Sequence, residues 1–158
     1  DDCESAGLEV PPLPAAVKVA LRPMVPYAGH SINNPLDASP LLDARNFARG
    51  YEVLATSPAL DLLLIHFGMG WDRYSGDQAG QERFRTILET VRERPLKPCA
   101  FVLRPATTAN EGRNVENLSR LLQEAGLPFY NSMAGAAKAV RRYLDYHARR
   151  NADVPAAR

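Results

Sequence analysis

The sequence predicts an α/β fold in which a parallel sheet is covered by helices on both faces. Nearly unbroken apolar runs at 60–67 and 97–103 are typical of strands that are buried on both faces. Each run is followed by a polar loop and then by a segment with apolar residues at helical spacing. Strands that alternate with helices in this way form parallel sheets joined by right-handed crossovers.

The first thirty residues predict a connector with short helices that belongs to a preceding segment. Residues 1–6 are expected to end a helix at Gly7, since glycine is the usual C-terminal stop. The prolines of "LEVPPLP" require an extended connector, and Pro14 opens a short helix over about 14–22. Because the chain begins without methionine and in the middle of a helical turn, we expect it to be a fragment of a longer chain.

Regular structure is expected to be brief over residues 23–40, which hold four prolines and Gly29. A short strand at Ser31–Asn33 is the most that this composition allows. Asp43 is predicted to cap a helix over about 44–56, which Pro58 ends.

Residues 31–150 are predicted to form one flavodoxin-like domain, and residues 151–158 a disordered tail. After the helix at 44–56, the pattern predicts three strands at 60–67, 97–103 and 127–131, and three helices at 78–94, 113–125 and 133–149. Ligands of such sheets bind beyond the carboxyl ends of the strands. The loops 67–77 and 104–112 are therefore the predicted binding edge, and 30–37 joins them if a first strand precedes it.

Composition and charge exclude several classes of protein. The hydrophobic share is 46%, the charged share 23% and the net charge +1, which indicates a soluble globular protein without the basic bias of a nucleic-acid binder. A signal peptide and an apolar run of membrane-spanning length are both absent from the sequence, so a cytoplasmic protein is expected. Cys3 and Cys99 have no metal-binding spacing, and a zinc site is not expected.

The loop "FGMGWDRYSGD" carries three glycines and the only tryptophan of the chain. Glycine amides after a strand and before a helix attract anions, which favours a binding loop. The alternative is an ordinary turn in which Trp71 covers the core. The spacing is neither a dinucleotide fingerprint nor a P-loop. Asp72 and Asp77 could hold a magnesium ion, but two loop acids are weak evidence for one.

The second loop, "RPATTAN", leaves two interpretations open. Arg104, Thr107, Thr108 and Asn110 are able to bind an anion or an amide, yet Thr108 and Asn110 are also common helix caps. His66, at the end of a predicted strand, is either catalytic or a hydrogen-bonded core residue. From the residues alone, these loops suit a small anion or carboxylate and name no reaction.

The stretch "HSINNPLD", at 30–37, is either a turn that leads into the next helix or part of a site. Its two amides, proline and carboxylate suit both interpretations. Asn34 precedes a proline and is therefore expected in an extended conformation.

Five segments in order resemble one enzyme family: "DDCESAGLEVPPL", "NNPLD", "LLLIHFGMGWDRY", "CAFVLRPATTANEG" and "EAGLPFYNSMAGAAKAV". Together they are similar to the NDP-forming (ADP-forming) acyl-CoA synthetases, relatives of succinyl-CoA synthetase. In that family "NNPLD" matches an Asn-Pro-(Val/Leu)-Asp motif. The chain resembles the third subdomain, equivalent to the carboxy-terminal CoA-ligase domain of the beta subunit.

The resemblance implies a role in joining an acid to CoA. The domain would help to bind the acid or acyl phosphate, and phosphate, near a phosphohistidine that another domain supplies. By position, Asn34 and Asp37 would shape the pocket, and a loop would meet the acyl group; its residues are Gly68, Met69, Gly70 and Trp71. Because Met69 and Trp71 are bulkier than their counterparts, we expect an acid other than succinate.

The chain also departs from the family. The Ser-His-Thr-Gly run of the phosphohistidine, the Gly-rich phosphate loop, the ATP-grasp domain and the CoA-binding Rossmann domain are not in these 158 residues. We therefore assign no catalytic residue and expect the segment alone to be inactive and to bind no cofactor. The complete enzyme is expected to use CoA and Mg-ATP, or another nucleoside triphosphate.

The expected partners are the other domains of the same synthetase and a small carboxylic acid. A homo-oligomer is compatible with the family, whereas nucleic acid and membrane are not expected. A different class of function stays open beside the ligase: a non-catalytic flavodoxin-like module that binds CoA or an acyl group, or docks a partner.

Overall fold

The computed structural model describes residues 1–26, 28–68 and 78–152. Three parallel strands form the sheet in the order β1, β2, β3. They are β1 Leu63–Phe67, β2 Cys99–Leu103 and β3 Phe129–Tyr130. The α-helices are α1 Asp2–Ser5, α2 Ala15–Leu21, α3 Ala44–Ala55, α4 Gln78–Glu93, α5 Ala109–Glu124 and α6 Met133–Ala152. The α/β class and the parallel sheet agree with the prediction.

The two faces of the sheet are covered by different helices. On one face, Phe101 and Leu103 pack with Phe67 in a core that α3, α4 and α5 share. On the other face, Ala100 and Val102 are buried. Helix α6, in which Ala136 and Ala137 are buried, packs on β2 and β3, and α1 packs beside α6. Alternate side chains of a strand point to opposite faces, so an unbroken apolar run is what a doubly covered strand requires.

Most predicted elements are found with shifted ends. β1 begins at Leu63 and not at residue 60, and α5 begins at Ala109 and not at 113, because Thr108 caps it. Asp43 caps α3 as predicted, since its carboxylate accepts a hydrogen bond from the Arg45 amide at 3.1 Å. Helix α6 continues through Ala152, and residues 153–158 lie outside the described part of the chain.

The N-terminal third packs as a second apolar cluster against α3 and the start of β1. Its buried members include Val17, Leu21, Ile32, Leu41 and Leu60, with Leu63 at its margin. The connector 8–14 carries no helix or strand, as its prolines predict. Residues of the first thirty, such as Val17 and Leu21, thus contribute buried side chains to this second cluster.

The short strand predicted at Ser31–Asn33 is not found. Instead Ser31 and Asp37 form an isolated antiparallel bridge, with their backbone N–H groups donating to each other's carbonyls at 2.8 and 3.0 Å. The bridge closes 30–37 into a loop, and Ile32 is buried inside it. Five residues between the bridge partners are too few for a strand to extend. In the described ranges, no helix is long and apolar enough to cross a membrane.

Candidate functional site

The carboxyl ends of β1 and β2 lie side by side. Phe67 is in register with Leu103, and the backbone N–H of Arg104 donates to the Phe67 carbonyl at 3.1 Å. Gly68 and the loop that starts at Arg104 therefore leave the sheet at the same edge. This edge is where ligands of open parallel sheets bind.

Gly68 is the described part of the glycine-rich loop. The residue is half-buried, and a Cβ added to it would meet nothing within 4 Å. Crowding by the described residues therefore does not require a glycine at this position. Met69, Gly70 and Trp71, which were predicted to meet the acyl group, lie outside the described residues, as do Asp72 and Asp77.

The start of α5 is capped by its own side chains. The Thr108 hydroxyl accepts the Glu111 N–H at 3.2 Å, and the Glu111 carboxylate accepts the Thr107 N–H and hydroxyl, each at 2.6 Å. The hydrogen bonds from Thr107 lower the pKa of Glu111. The capping interpretation is thereby confirmed for Thr108, whereas Asn110 accepts a hydrogen bond from the Arg113 side chain.

His66 does not belong to the core. Its side chain is exposed, although Val102, its partner in the register, is buried. The core interpretation is therefore wrong, because the side chain is exposed on the face of the sheet where α6 packs on β2 and β3. The described residues contain no group of three or more His, Cys, Asp or Glu side chains that could hold a metal ion.

Asn34 and Asp37 lie in the loop that the bridge closes. The Asn34 side-chain amide donates to the Pro11 carbonyl at 2.9 Å. Asp37 is exposed, and its side chain makes no hydrogen bond or ion pair with the described residues. Asn34 therefore ties the loop to the connector, whereas Asp37 presents a carboxylate to solvent.

The structure does not bring this loop to Gly68 through any hydrogen bond or apolar cluster of the described residues. Ile32 packs in the cluster that includes Leu60 and Leu63, at the amino end of β1. Gly68 follows the opposite, carboxyl end of β1. The pocket roles of Asn34 and Asp37 stay predictions.

One polar residue of the core was not anticipated. Asn114 lies on the inner side of α5, one turn before Leu118, and is 4% exposed. Its side-chain Nδ2 is buried without a hydrogen-bond partner. The signal in the sequence was its spacing of four, seven and eight residues from Leu118, Leu121 and Leu122, which places it on the apolar stripe.

Comparison with known proteins supports the fold. No protein-family model matches the sequence, and no curated protein matches it significantly. Among solved structures, PH0766 from Pyrococcus horikoshii OT3 superposes with a TM-score of 0.69 over 89% of this chain, at 20% sequence identity. The chain spans about 30% of the length of that protein. This chain therefore has the fold of one part of PH0766.

Proposed function

We propose that the chain is the CoA-ligase subdomain of an NDP-forming acyl-CoA synthetase. In this role it helps to bind the acid or acyl phosphate, and phosphate, near a phosphohistidine that another domain carries. The observation that carries the proposal is the placement of two of the family-like segments. "FGMGWDRY" begins at the carboxyl end of β1 and "RPATTANEG" at that of β2, so both loops start at one edge.

The chemistry of that edge suits an anionic ligand. Gly68 leaves the backbone open to close approach, and Arg104, at the start of the neighbouring loop, is exposed. Backbone amides and a fixed cation stabilise a developing negative charge without moving. Asp37 and Asn34 would act in the same pocket only in a complete enzyme, where other domains adjoin the loop 30–37.

A matched pair of substitutions to alanine in the complete enzyme tests the proposal. Gly68→Ala adds a methyl group to space that no part of the described chain occupies. Glu116→Ala, at an exposed position of α5 outside the family-like segment, is the control. We expect Gly68→Ala to reduce acyl-CoA formation from ATP, CoA and an acid at least tenfold, with an unchanged melting temperature. Glu116→Ala should keep full activity. Equal activity of the two variants would contradict the proposal.

A non-catalytic binding module is the second candidate, and one observation favours it. At the start of α5, the N–H and hydroxyl of Thr107 donate hydrogen bonds to the Glu111 carboxylate, and the Glu111 N–H donates to the Thr108 hydroxyl. These side chains are therefore not free to bind a reacting group. Under this alternative the full-length polypeptide binds CoA in a calorimetric titration but forms no acyl-CoA with any acid. Turnover that needs a histidine of another domain supports the ligase.

A further inference from the structure

Helix α6 is much longer than the strands on which it packs. Its 20 residues span about 30 Å, whereas the five residues of β2 span about 16 Å. Ala136 and Ala137 are buried in its first half, but no residue of 138–150 is buried. Because helices in proteins are stabilised mainly by the packing of one face, residues 138–150 receive less of this support than the first half does.

Four residues of this half follow the spacing of a coiled coil. Ala139, Tyr143, Tyr146 and Arg150 are separated by four, three and four residues, as the a and d positions of heptads are. We refer to these four residues as the heptad stripe. Tyr143 and Tyr146 are 64% and 54% exposed. The stripe thus offers two large aromatic side chains, and the aliphatic stem of Arg150, to a second helix.

The aromatic rings of the heptad stripe contact a histidine beside it. The ring centroid of His147 lies 4.3 Å from that of Tyr143 and 5.2 Å from that of Tyr146. Such contacts restrict the rotation of the side chains before a partner binds, so that less entropy is lost on binding. Tyrosine and arginine are also among the residue types that contribute most to the energy of protein interfaces.

Positive charge flanks the heptad stripe. Arg142 and Arg149 are seven residues apart, and both occupy the g position, which in coiled coils pairs with charged residues of the neighbouring helix. Asp145 is the only acidic residue of α6, and it accepts a hydrogen bond from Arg141 at 2.9 Å. Neither Arg142 nor Arg150 forms an ion pair or a hydrogen bond with a residue that the structure describes. With five lysines and arginines, α6 contributes +4 to the net charge of +1, so the rest of the chain carries −3.

We propose that the heptad stripe, with Arg142 and Arg149 beside it, docks an acidic amphipathic α-helix of a partner protein. The partner helix places apolar residues against the two tyrosines and glutamate or aspartate against the arginines. A second copy of this chain does not fit, because it would bring like-charged arginines together. Nucleic acid or an anionic membrane would use the arginines but not the heptad spacing. The inference concerns an interaction surface and does not depend on the proposed reaction.

Two labelled peptides test the proposal by fluorescence anisotropy titration with the 158-residue chain. One peptide has three heptads with leucine at a and d and glutamate at e and g, and the other has the same residues in an order without heptad spacing. We expect the heptad peptide to bind at least about tenfold more tightly than the scrambled one. Equal binding would overturn the proposal, because charge alone would then account for it. The same holds if the heptad peptide does not bind at about 100 μM.

Matched charge variants locate the binding surface. The double variant Arg142→Gln, Arg149→Gln removes two exposed charges beside the heptad stripe. The control, Arg45→Gln, Arg49→Gln, removes two exposed charges from α3. Glutamine has a helix propensity close to that of arginine, so both variants should keep the melting temperature of the wild type. We expect the α6 variant to weaken the binding of the heptad peptide at least about tenfold and the control less than about twofold. Equal effects would overturn the proposal.

The double variant Tyr143→Ala, Tyr146→Ala tests the apolar part of the surface. We expect it to weaken the heptad peptide at least about tenfold and, because both rings are exposed, to keep the melting temperature of the wild type. Undiminished binding would overturn the proposal. Tighter binding of the wild type to a single-stranded oligonucleotide or to phosphatidylserine vesicles than to the heptad peptide would also overturn it. So would a dimer in analytical ultracentrifugation that this variant abolishes, because a second copy would then cover the stripe.

Discussion

The side-chain amide of Asn34 donates a hydrogen bond to the backbone carbonyl of Pro11 over 2.9 Å, and so fastens the loop 30–37 to the proline-rich connector. Asn34→Ala removes the donor. We expect it to lower the free energy of unfolding by about 1 kcal/mol, the usual net value of one such bond. Asp37→Ala, whose side chain makes no polar contact with the described residues, should change it by less than about 0.5 kcal/mol. Urea unfolding of both variants measures the difference.

The same two variants test whether the loop 30–37 is only a turn or also part of a binding site. In the complete enzyme, Asp37→Ala should lower acyl-CoA formation strongly while the melting temperature stays within a few degrees. Asp37 is the cleaner probe, because a loss of activity in Asn34→Ala is mixed with a loss of stability. Normal turnover by Asp37→Ala would show that the loop is structural and has no pocket role.

The strands and helices after residue 60 were predictable because the spacing of their apolar residues indicates which side chains are buried. α4 places Phe84, Ile87, Leu88 and Val91 inward at helical spacing, and all four are buried. The ends were less certain, since the start of α5 depends on which of Thr108 and Asn110 accepts the capping hydrogen bond. A single sequence contains both candidates and does not rank them.

The site was less predictable than the fold, because a polar side chain in a loop suits several partners. Thr107 was free to bind a ligand as far as the sequence showed, but in the structure its N–H and hydroxyl donate to the Glu111 carboxylate. His66 ends an apolar run, yet its side chain is exposed, although its register partner Val102 is buried. The hydrogen-bond partner and the exposure of a side chain depend on its position in the tertiary structure, which the spacing of apolar residues does not predict.

The buried amide of Asn114 gives a second prediction, on stability. Its Nδ2 has no hydrogen-bond partner, and an unsatisfied buried donor costs about 1–3 kcal/mol. Asn114→Leu keeps the branching and the number of heavy atoms of the side chain, and extends the stripe that Leu118 continues. We expect it to raise the free energy of unfolding by about 1 kcal/mol, measured by urea titration. A loss of stability would mean that the amide has a partner, such as a bound water.

The thiol of Cys99 gives a third prediction, on reactivity. Burial raises the pKa of Cys99 from its ordinary 9.0 to about 11. At pH 8 the thiolate fraction is then about a hundredfold lower than for an ordinary cysteine, and only the thiolate is nucleophilic. In a Cys3→Ser background, iodoacetamide should therefore label the folded chain at least a hundredfold more slowly than the chain in urea.

The pH dependence of the labelling rate tests whether the raised pKa of Cys99 is the cause of the slow labelling. If the raised pKa of Cys99 controls the rate, the rate climbs through pH 9 and levels off near pH 11. Because the folded-state pKa is the higher one, the stabilising contribution of the neutral thiol is complete below pH 9 and is lost as the pH rises above it. A rate that levels off near pH 9 would contradict the expectation.

The carboxylate of Glu111 gives the fourth prediction, on the acid stability of α5. Hydrogen bonds from Thr107 lower the pKa of Glu111 below its ordinary 4.5. A lowered folded-state pKa stabilises the fold above pH 4.5, and this contribution is lost as the pH falls through the folded-state value. We expect wild type to have a higher urea midpoint than Glu111→Gln at pH 6, and the difference to shrink by pH 3.

Glu116→Gln on the same helix is the matched control, since Glu116 is exposed and accepts no hydrogen bond from the described residues. Thr107→Val should remove the hydroxyl donor and weaken the pH dependence, but not abolish it, because the Thr107 N–H still donates to the carboxylate. A difference between wild type and Glu111→Gln that is the same at pH 3 and pH 6 would mean that the cap holds equally well with a protonated carboxyl. The negative charge of the Glu111 carboxylate would then contribute nothing to the stability of the start of α5.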